Sequence, residues 1–94
     1  MLDEDKILID EKKKTLLIAL GKVVYKKRKE IGKGINRFSF EYDIGNGLLS
    51  RLENGKLDIK ITTFWKLANA LNLNLTDFIK EIEKELPKEF NFYL

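Results

Sequence analysis

Cysteine and histidine are absent from the 94 residues of this chain, and proline occurs once, at Pro87. Disulfides are therefore excluded, and so are zinc sites built from cysteine or histidine ligands. Thiol and imidazole catalysis are excluded for the same reason. No group of carboxylates shares one predicted helix face, which further disfavours an enzyme, and we expect no cofactor. A domain this small must be stabilised by packing, and dimerisation is the usual supplement.

Long hydrophobic runs are also missing. No stretch approaches 18 consecutive apolar residues, and the acidic start Met-Leu-Asp-Glu-Asp is unlike a signal peptide, so we expect a cytoplasmic protein without a membrane partner. Charge is distributed unevenly, because residues 15–66 hold eleven basic and five acidic side chains while both flanks are net acidic. This basic centre favours a polyanionic partner, although a solvated lysine-rich surface would have the same composition.

Hydrophobic spacing is helical nearly throughout and predicts five helices. The first spans about residues 15–31, with Leu17, Leu20, Val24 and Ile31 on its inward face and Gly32 as its left-handed cap. The second and third are short, at about 35–43 and 46–54. Thr62 is predicted to cap the fourth helix, Asn72 to end it, and Asn74 with Asp77 to open the fifth, whose inward residues include Ile79.

Three segments follow from this pattern. Residues 1–14 are a charged N-terminal extension, residues 15–86 form one helical domain, and residues 87–94 are an apolar tail that ends Phe-Asn-Phe-Tyr-Leu. Aromatic side chains seldom stay in water as a contiguous patch. We therefore expect the tail either to fold back over the domain or to contact a partner subunit.

The short second and third helices are joined by Asp43-Ile44-Gly45, which is typical of a helix-turn-helix. Asp43 tolerates a left-handed conformation, Ile44 supplies an apolar plug, and Gly45 or Asn46 caps the next helix. Ser39 provides a small side chain where the third helix must approach the second.

From about Leu20 to Leu86 the chain resembles the phage-repressor and Cro type of helix-turn-helix domain. The resemblance rests on LSRLENGK at residues 49–56, on TTFWKLANALNLNLTDF at 62–78 and on YKKRKEIGKG at 25–34. It implies a compact all-α, five-helix, lambda-repressor-like fold. It also implies a sequence-specific transcription regulator, repressor-like, that binds double-stranded DNA as a homodimer and reads the major groove with the helix near 46–54.

Carried over by position, the resemblance also implies DNA-contacting residues. The expected base contacts are Asn46, Gly47, Ser50 and Arg51. The expected phosphate contacts are Asn36, Arg37, Asn54, Lys56 and Lys60. Three positions depart from the family pattern. Ile35 stands where a phosphate-binding glutamine is common, Gly45 where a serine or threonine cap is common, and Gly47 where a side chain commonly reads a base.

Two opposite charges fall on inward faces. Arg28 lies four residues after Val24 on the first helix, and Glu53 lies four residues after Leu49 on the third. An unpaired buried charge costs several kcal/mol, so we predict a structural salt bridge between Arg28 and Glu53. The alternative is that both charges are solvated and never meet. Members of the family that the chain resembles often carry such a pair.

A second functional hypothesis is a protein-binding module of the same fold, such as an antitoxin-like or adaptor protein. Its partner would contact Leu48 or the C-terminal aromatic residues. Antitoxins of this fold usually bind DNA too, so the two hypotheses are compatible.

Overall fold

The computed structural model describes the backbone of residues 3–94 and the side chains of Glu4 and residues 6–94. Its helices are α1 Asp3–Glu30, α2 Ile35–Tyr42, α3 Asn46–Glu53, α4 Ile61–Ala70 and α5 Leu75–Glu85. Strands are absent from residues 3–94, so the predicted all-α, five-helix architecture is confirmed. None of these helices combines the length and apolar content needed to cross a membrane.

The first helix is much longer than predicted. It begins at Asp3 instead of Thr15, so its predicted start is wrong, and residues 3–14 are part of the helix. Glutamate and lysine are good helix formers, and acidic residues that precede basic ones interact favourably with the helix dipole. A prediction based on the spacing of apolar residues takes neither effect into account. At 1.5 Å per residue the 28-residue helix is about 42 Å long, close to the 44 Å longest dimension of the molecule.

One hydrophobic core joins all five helices and lies around the C-terminal half of α1. Its most deeply buried side chains include Val24, Phe38, Leu49, Leu52, Leu67 and Phe78. The rings of Phe64 and Phe78 stack at 4.7 Å between α4 and α5. Ile31 and Ile79, predicted to face inward, are exposed. Ile31 follows the last helical residue of α1, so helical spacing no longer predicts the direction of its side chain.

The predicted turn residues adopt the expected conformations. Gly32, Asp43 and Asn72 have φ angles of 74°, 52° and 59°, which confirms the left-handed conformation at all three. Ile44 is buried, as an apolar plug in the turn between α2 and α3 should be.

The starts of the last two helices differ in their capping. Asn74 Oδ1 accepts a hydrogen bond from the main-chain nitrogen of Asp77 at 2.8 Å, which confirms Asn74 as the cap of α5. The prediction that Thr62 caps α4 is wrong, because α4 already begins at Ile61 and Lys60 occupies the capping position. Thr62 lies within the first turn, where its backbone is already helical.

The C-terminal tail folds back beside α1. Lys12 Nζ donates hydrogen bonds to the main-chain oxygens of Asn91 and Leu94. Phe90 and Phe92 are half-buried and their rings meet edge to face at 5.5 Å. The tail thus lies beside the N-terminal part of α1 with Tyr93 and Leu94 exposed, and its contact with a partner subunit stays a prediction.

Candidate nucleic-acid interface

The third helix has an inner side that anchors it to the body. Leu49 and Leu52 are completely buried there. Glu53, one residue further on, turns toward α1. These three side chains fix which side of α3 remains on the surface.

Arg28 and Glu53 form a bidentate ion pair between α1 and α3. Arg28 Nε donates to Glu53 Oε2 and Arg28 Nη2 donates to Glu53 Oε1, both at 2.7 Å. Arg28 Nη1 also donates to the main-chain oxygen of Lys33 at 2.8 Å. Both side chains of the pair are only 6% exposed, and the hydrogen bonds to Glu53 raise the pKa of Arg28 above its ordinary value. The guanidinium therefore connects the end of α1, the turn into α2 and the end of α3.

A close backbone approach at Gly21 also positions α3. A Cβ atom on Gly21 would lie 2.6 Å from the main-chain oxygen of Leu52 and 2.7 Å from that of Glu53. Only glycine allows α1 and the end of α3 to pack this closely. Sequence reasoning missed this contact, although an isolated glycine inside a helical pattern is a known signal of one.

The outer side of α3 is open to solvent at Asn46, Gly47 and Arg51, and Ser50 is half-buried. Asn46 Nδ2 donates a hydrogen bond to Asn36 Oδ1. This bond joins the first turns of α2 and α3 and brings together one residue predicted to contact bases and one predicted to contact phosphates. Hydrophobic spacing carries no signal for this contact between two polar side chains.

The predicted phosphate-contacting residues differ in whether their side chains already bind other groups of the protein. Lys56 and Lys60 are exposed, and neither is in an ion pair among the side chains that the structure describes. Asn54 Nδ2 donates to the main-chain oxygen of Ser50 at 2.8 Å, so its amide helps to close the end of α3. Lys56 and Lys60 therefore offer free positive charge just beyond α3.

Arg37, by contrast, is engaged within the protein. Its Nε donates to Glu41 Oε1 at 2.8 Å, while Lys33 Nζ donates to Glu41 Oε2 at 2.5 Å. The hydrogen bonds from Lys33 and Arg37 hold the pKa of Glu41 below its ordinary value. Because Glu41 carries a negative charge between them, Arg37 is partly neutralised as a phosphate ligand.

A helix-turn-helix family model matches residues 24–78, which is more than half of the chain. The chain belongs to the helix-turn-helix family of the phage-repressor (lambda-repressor-like) type. This is a family of DNA-binding domains without enzymatic activity. No curated protein and no solved structure gave a significant match.

In this helix-turn-helix, α3 occupies the place of the recognition helix. Gly47, in its first turn, has nothing within 4 Å of the position where a side chain would begin. Leu48 beside it is half-buried and packs against the core. A protein partner at Leu48 would thus find only part of that side chain, whereas Tyr93 and Leu94 of the tail are exposed.

Proposed function

We propose that this helix-turn-helix protein is a sequence-specific, repressor-like transcription regulator that binds operator DNA as a homodimer. The observation that supports it best is the division of α3 into two sides. Leu49, Leu52 and Glu53 are held by the body, while Asn46 and Arg51 point outward into solvent. A helix anchored in this way can enter the major groove without losing its own packing.

Asn46 and Arg51 are the side chains best suited to read bases. Arginine can donate two hydrogen bonds to guanine O6 and N7, and asparagine can pair with adenine N6 and N7. The hydrogen bond that Asn46 Nδ2 donates to Asn36 Oδ1 holds Asn46 in place and leaves its oxygen and second amide hydrogen for a base. Lys56 and Lys60 would contact phosphates after the helix, with Asn36, Arg37 and Asn54 as further contacts that fix the register on DNA. Gly47 and Ser50 lie between Asn46 and Arg51 along α3 and are the further proposed base contacts.

DNA affinity is expected to fall steeply with salt. The two unpaired lysines beyond α3 in each subunit would displace at least four condensed cations per dimer. Raising monovalent salt from 50 to 200 mM should then weaken binding about 100-fold. Fluorescence anisotropy of a labelled duplex, selected from a random DNA pool, measures this slope. If no duplex from the pool is bound at 50 mM salt, the proposed function is wrong.

Two single substitutions should separate base readout from phosphate contact. Arg51→Ala is expected to reduce the preference for the selected operator over an unrelated duplex about 5- to 150-fold per half-site. Lys56→Ala should weaken both duplexes equally and lower the salt slope by about 0.9 per subunit. The comparison uses the same anisotropy assay on the two duplexes. Should Arg51→Ala weaken both duplexes to the same extent, Arg51 contacts the backbone and does not read a base.

A further inference from the structure

A surface depression lies where α1 meets the segment that follows α3. Asp10, Lys13, Lys14 and Ile18 line it on the side of α1, and residues 54–56 line the other side. Asn54 and Lys56 of that segment are two of the proposed phosphate contacts, so the depression adjoins the proposed DNA-binding surface. Its α1 side lies outside residues 24–78, the part of the chain that the helix-turn-helix family model matches.

Close packing of Ile18 against Gly55 fixes the two sides of this depression relative to each other. A Cβ atom on Gly55 would lie 2.8 Å from Ile18 Cγ1 and 3.1 Å from Ile18 Cα. Lys56 directly follows Gly55, and its main-chain nitrogen donates to the main-chain oxygen of Arg51 at 2.9 Å. Lys14 is four residues before Ile18, which places it about 6 Å further along the same side of α1. The main chains that carry Lys14 and Lys56 are therefore held on opposite sides of one depression.

The charges of the depression are positive on balance. Lys13 Nζ lies 3.7 Å from Asp58 Oδ2, so Lys13 is already in an ion pair. Lys14, Lys56 and Asp10 are exposed, and none of them is in an ion pair among the side chains that the structure describes. Two unpaired lysines and one unpaired aspartate leave one positive charge in excess. An anion that enters the depression would meet an unpaired ammonium group on each side.

We propose that Lys14 is a further phosphate contact, so that the DNA backbone bound at Lys56 continues into the depression on α1. Lys56 lies beside the end of α3, and Lys14 is the next unpaired cation across the depression. Lysine suits this role because its flexible stem carries a point charge that can follow a phosphate. The helical extension before residue 15 then enlarges the DNA-binding surface. The inference rests on the proposed function, which supplies DNA as the ligand.

Lys14→Ala should weaken binding to every duplex to the same extent. The loss of one phosphate contact lowers the slope of log affinity against log salt by about 0.9 per subunit. Between 50 and 200 mM salt the affinity of the variant should therefore fall about 3.5-fold less per subunit than that of the wild type. Fluorescence anisotropy on the selected operator and on an unrelated duplex measures both slopes.

Lys80→Ala is the matched control. Lys80 is an exposed lysine of α5 and is in no ion pair among the described side chains, but it does not line the depression. Its removal should leave the salt slope unchanged. Lys14 is exposed as well, so neither variant should change Tm.

Asp10→Asn should act in the opposite direction. It removes the unpaired negative charge beside the bound phosphate and should lower Kd about two- to five-fold for both duplexes. Phosphate-ethylation interference then locates the contact on the operator. Ethylation of one phosphate in each half-site should weaken binding of the wild type and have no effect on Lys14→Ala.

The outcomes separate this contact from the proposed function. A Lys14→Ala variant with the Kd and salt slope of Lys80→Ala, or with the ethylation pattern of the wild type, would overturn the contact and leave the function standing. A larger loss on the operator than on the unrelated duplex would also overturn it, because Lys14 would then read a base. Wild-type protein that binds both duplexes equally, and more tightly than Lys14→Ala, would support the contact and refute sequence-specific regulation. Wild-type protein that binds no duplex at 50 mM salt would refute both.

Discussion

Replacing Glu53 with alanine is expected to destabilise the protein by about 3 kcal/mol. The substitution leaves the Arg28 guanidinium buried, with the main-chain oxygen of Lys33 as its remaining hydrogen-bond acceptor and no negative charge beside it. For a domain of this size each kcal/mol lowers Tm by about 4–8 °C, so a loss of about 12 °C or more should appear in thermal unfolding followed by circular dichroism.

Glu41→Ala is the matched control for this prediction. Glu41 also accepts hydrogen bonds from two cationic side chains, Lys33 and Arg37, but it is exposed where Glu53 is buried. Exposed ion pairs contribute little because water and salt screen them, so Tm should hardly change. Equal losses of Tm in the two variants would mean that the Arg28–Glu53 pair has no special role in stability.

Gly21→Ala should lower the stability of the protein at least as much as Glu53→Ala. The added methyl group would meet the main-chain oxygens of Leu52 and Glu53 at 2.6 and 2.7 Å, and main-chain atoms cannot move aside by changing a rotamer. The end of α3 must shift away from α1, which also strains the Arg28–Glu53 pair. We expect the free energy of unfolding, measured by urea unfolding, to fall by about 3 kcal/mol or more. Operator binding should weaken as well, because a smaller fraction of the protein is folded.

The control here is the same substitution at an open position. Gly47→Ala adds a methyl group where no atom lies within 4 Å, so only the higher helix propensity of alanine acts. The free energy of unfolding should rise by about 0.5–1 kcal/mol. A lower free energy of unfolding for Gly21→Ala and a higher one for Gly47→Ala would show that contact with the main chain of α3 causes the loss. A Gly21→Ala variant as stable as Gly47→Ala would rule out the close approach of α1 and α3.

The fold was largely predictable from local signals. Two left-handed positions, Asp43 and Asn72, and the Asn74 cap were recognised because each depends on one or two side chains and their own backbone. The start of α1 was missed because most side chains of residues 6–14 are exposed, and helical spacing detects only helices that bury a stripe. The role of Gly21 depends on where α3 comes to lie, which no local pattern contains.

The candidate site, like the fold, is predictable from the sequence only in its local features. The inward and outward directions of Glu53 and Arg51 follow from helical geometry, so the sequence predicts them. The bond between Asn36 and Asn46 and the attachment of Arg37 to Glu41 depend on rotamers and on the angle between α2 and α3. In the proposed function those contacts would set how much positive charge and how many hydrogen-bond donors face DNA, and only the structure reveals them.

The empty space at Gly47 has a consequence for how this protein could diversify. Nothing in the body touches that position, so larger side chains there would extend toward a bound duplex without disturbing the core. The residues that hold α3 in place, Leu49, Leu52 and Glu53, all lie on its other side. In the proposed function, operator preference and folding stability would therefore depend on separate sets of positions on an eight-residue helix. A new regulatory target could be acquired by single substitutions that leave the fold intact.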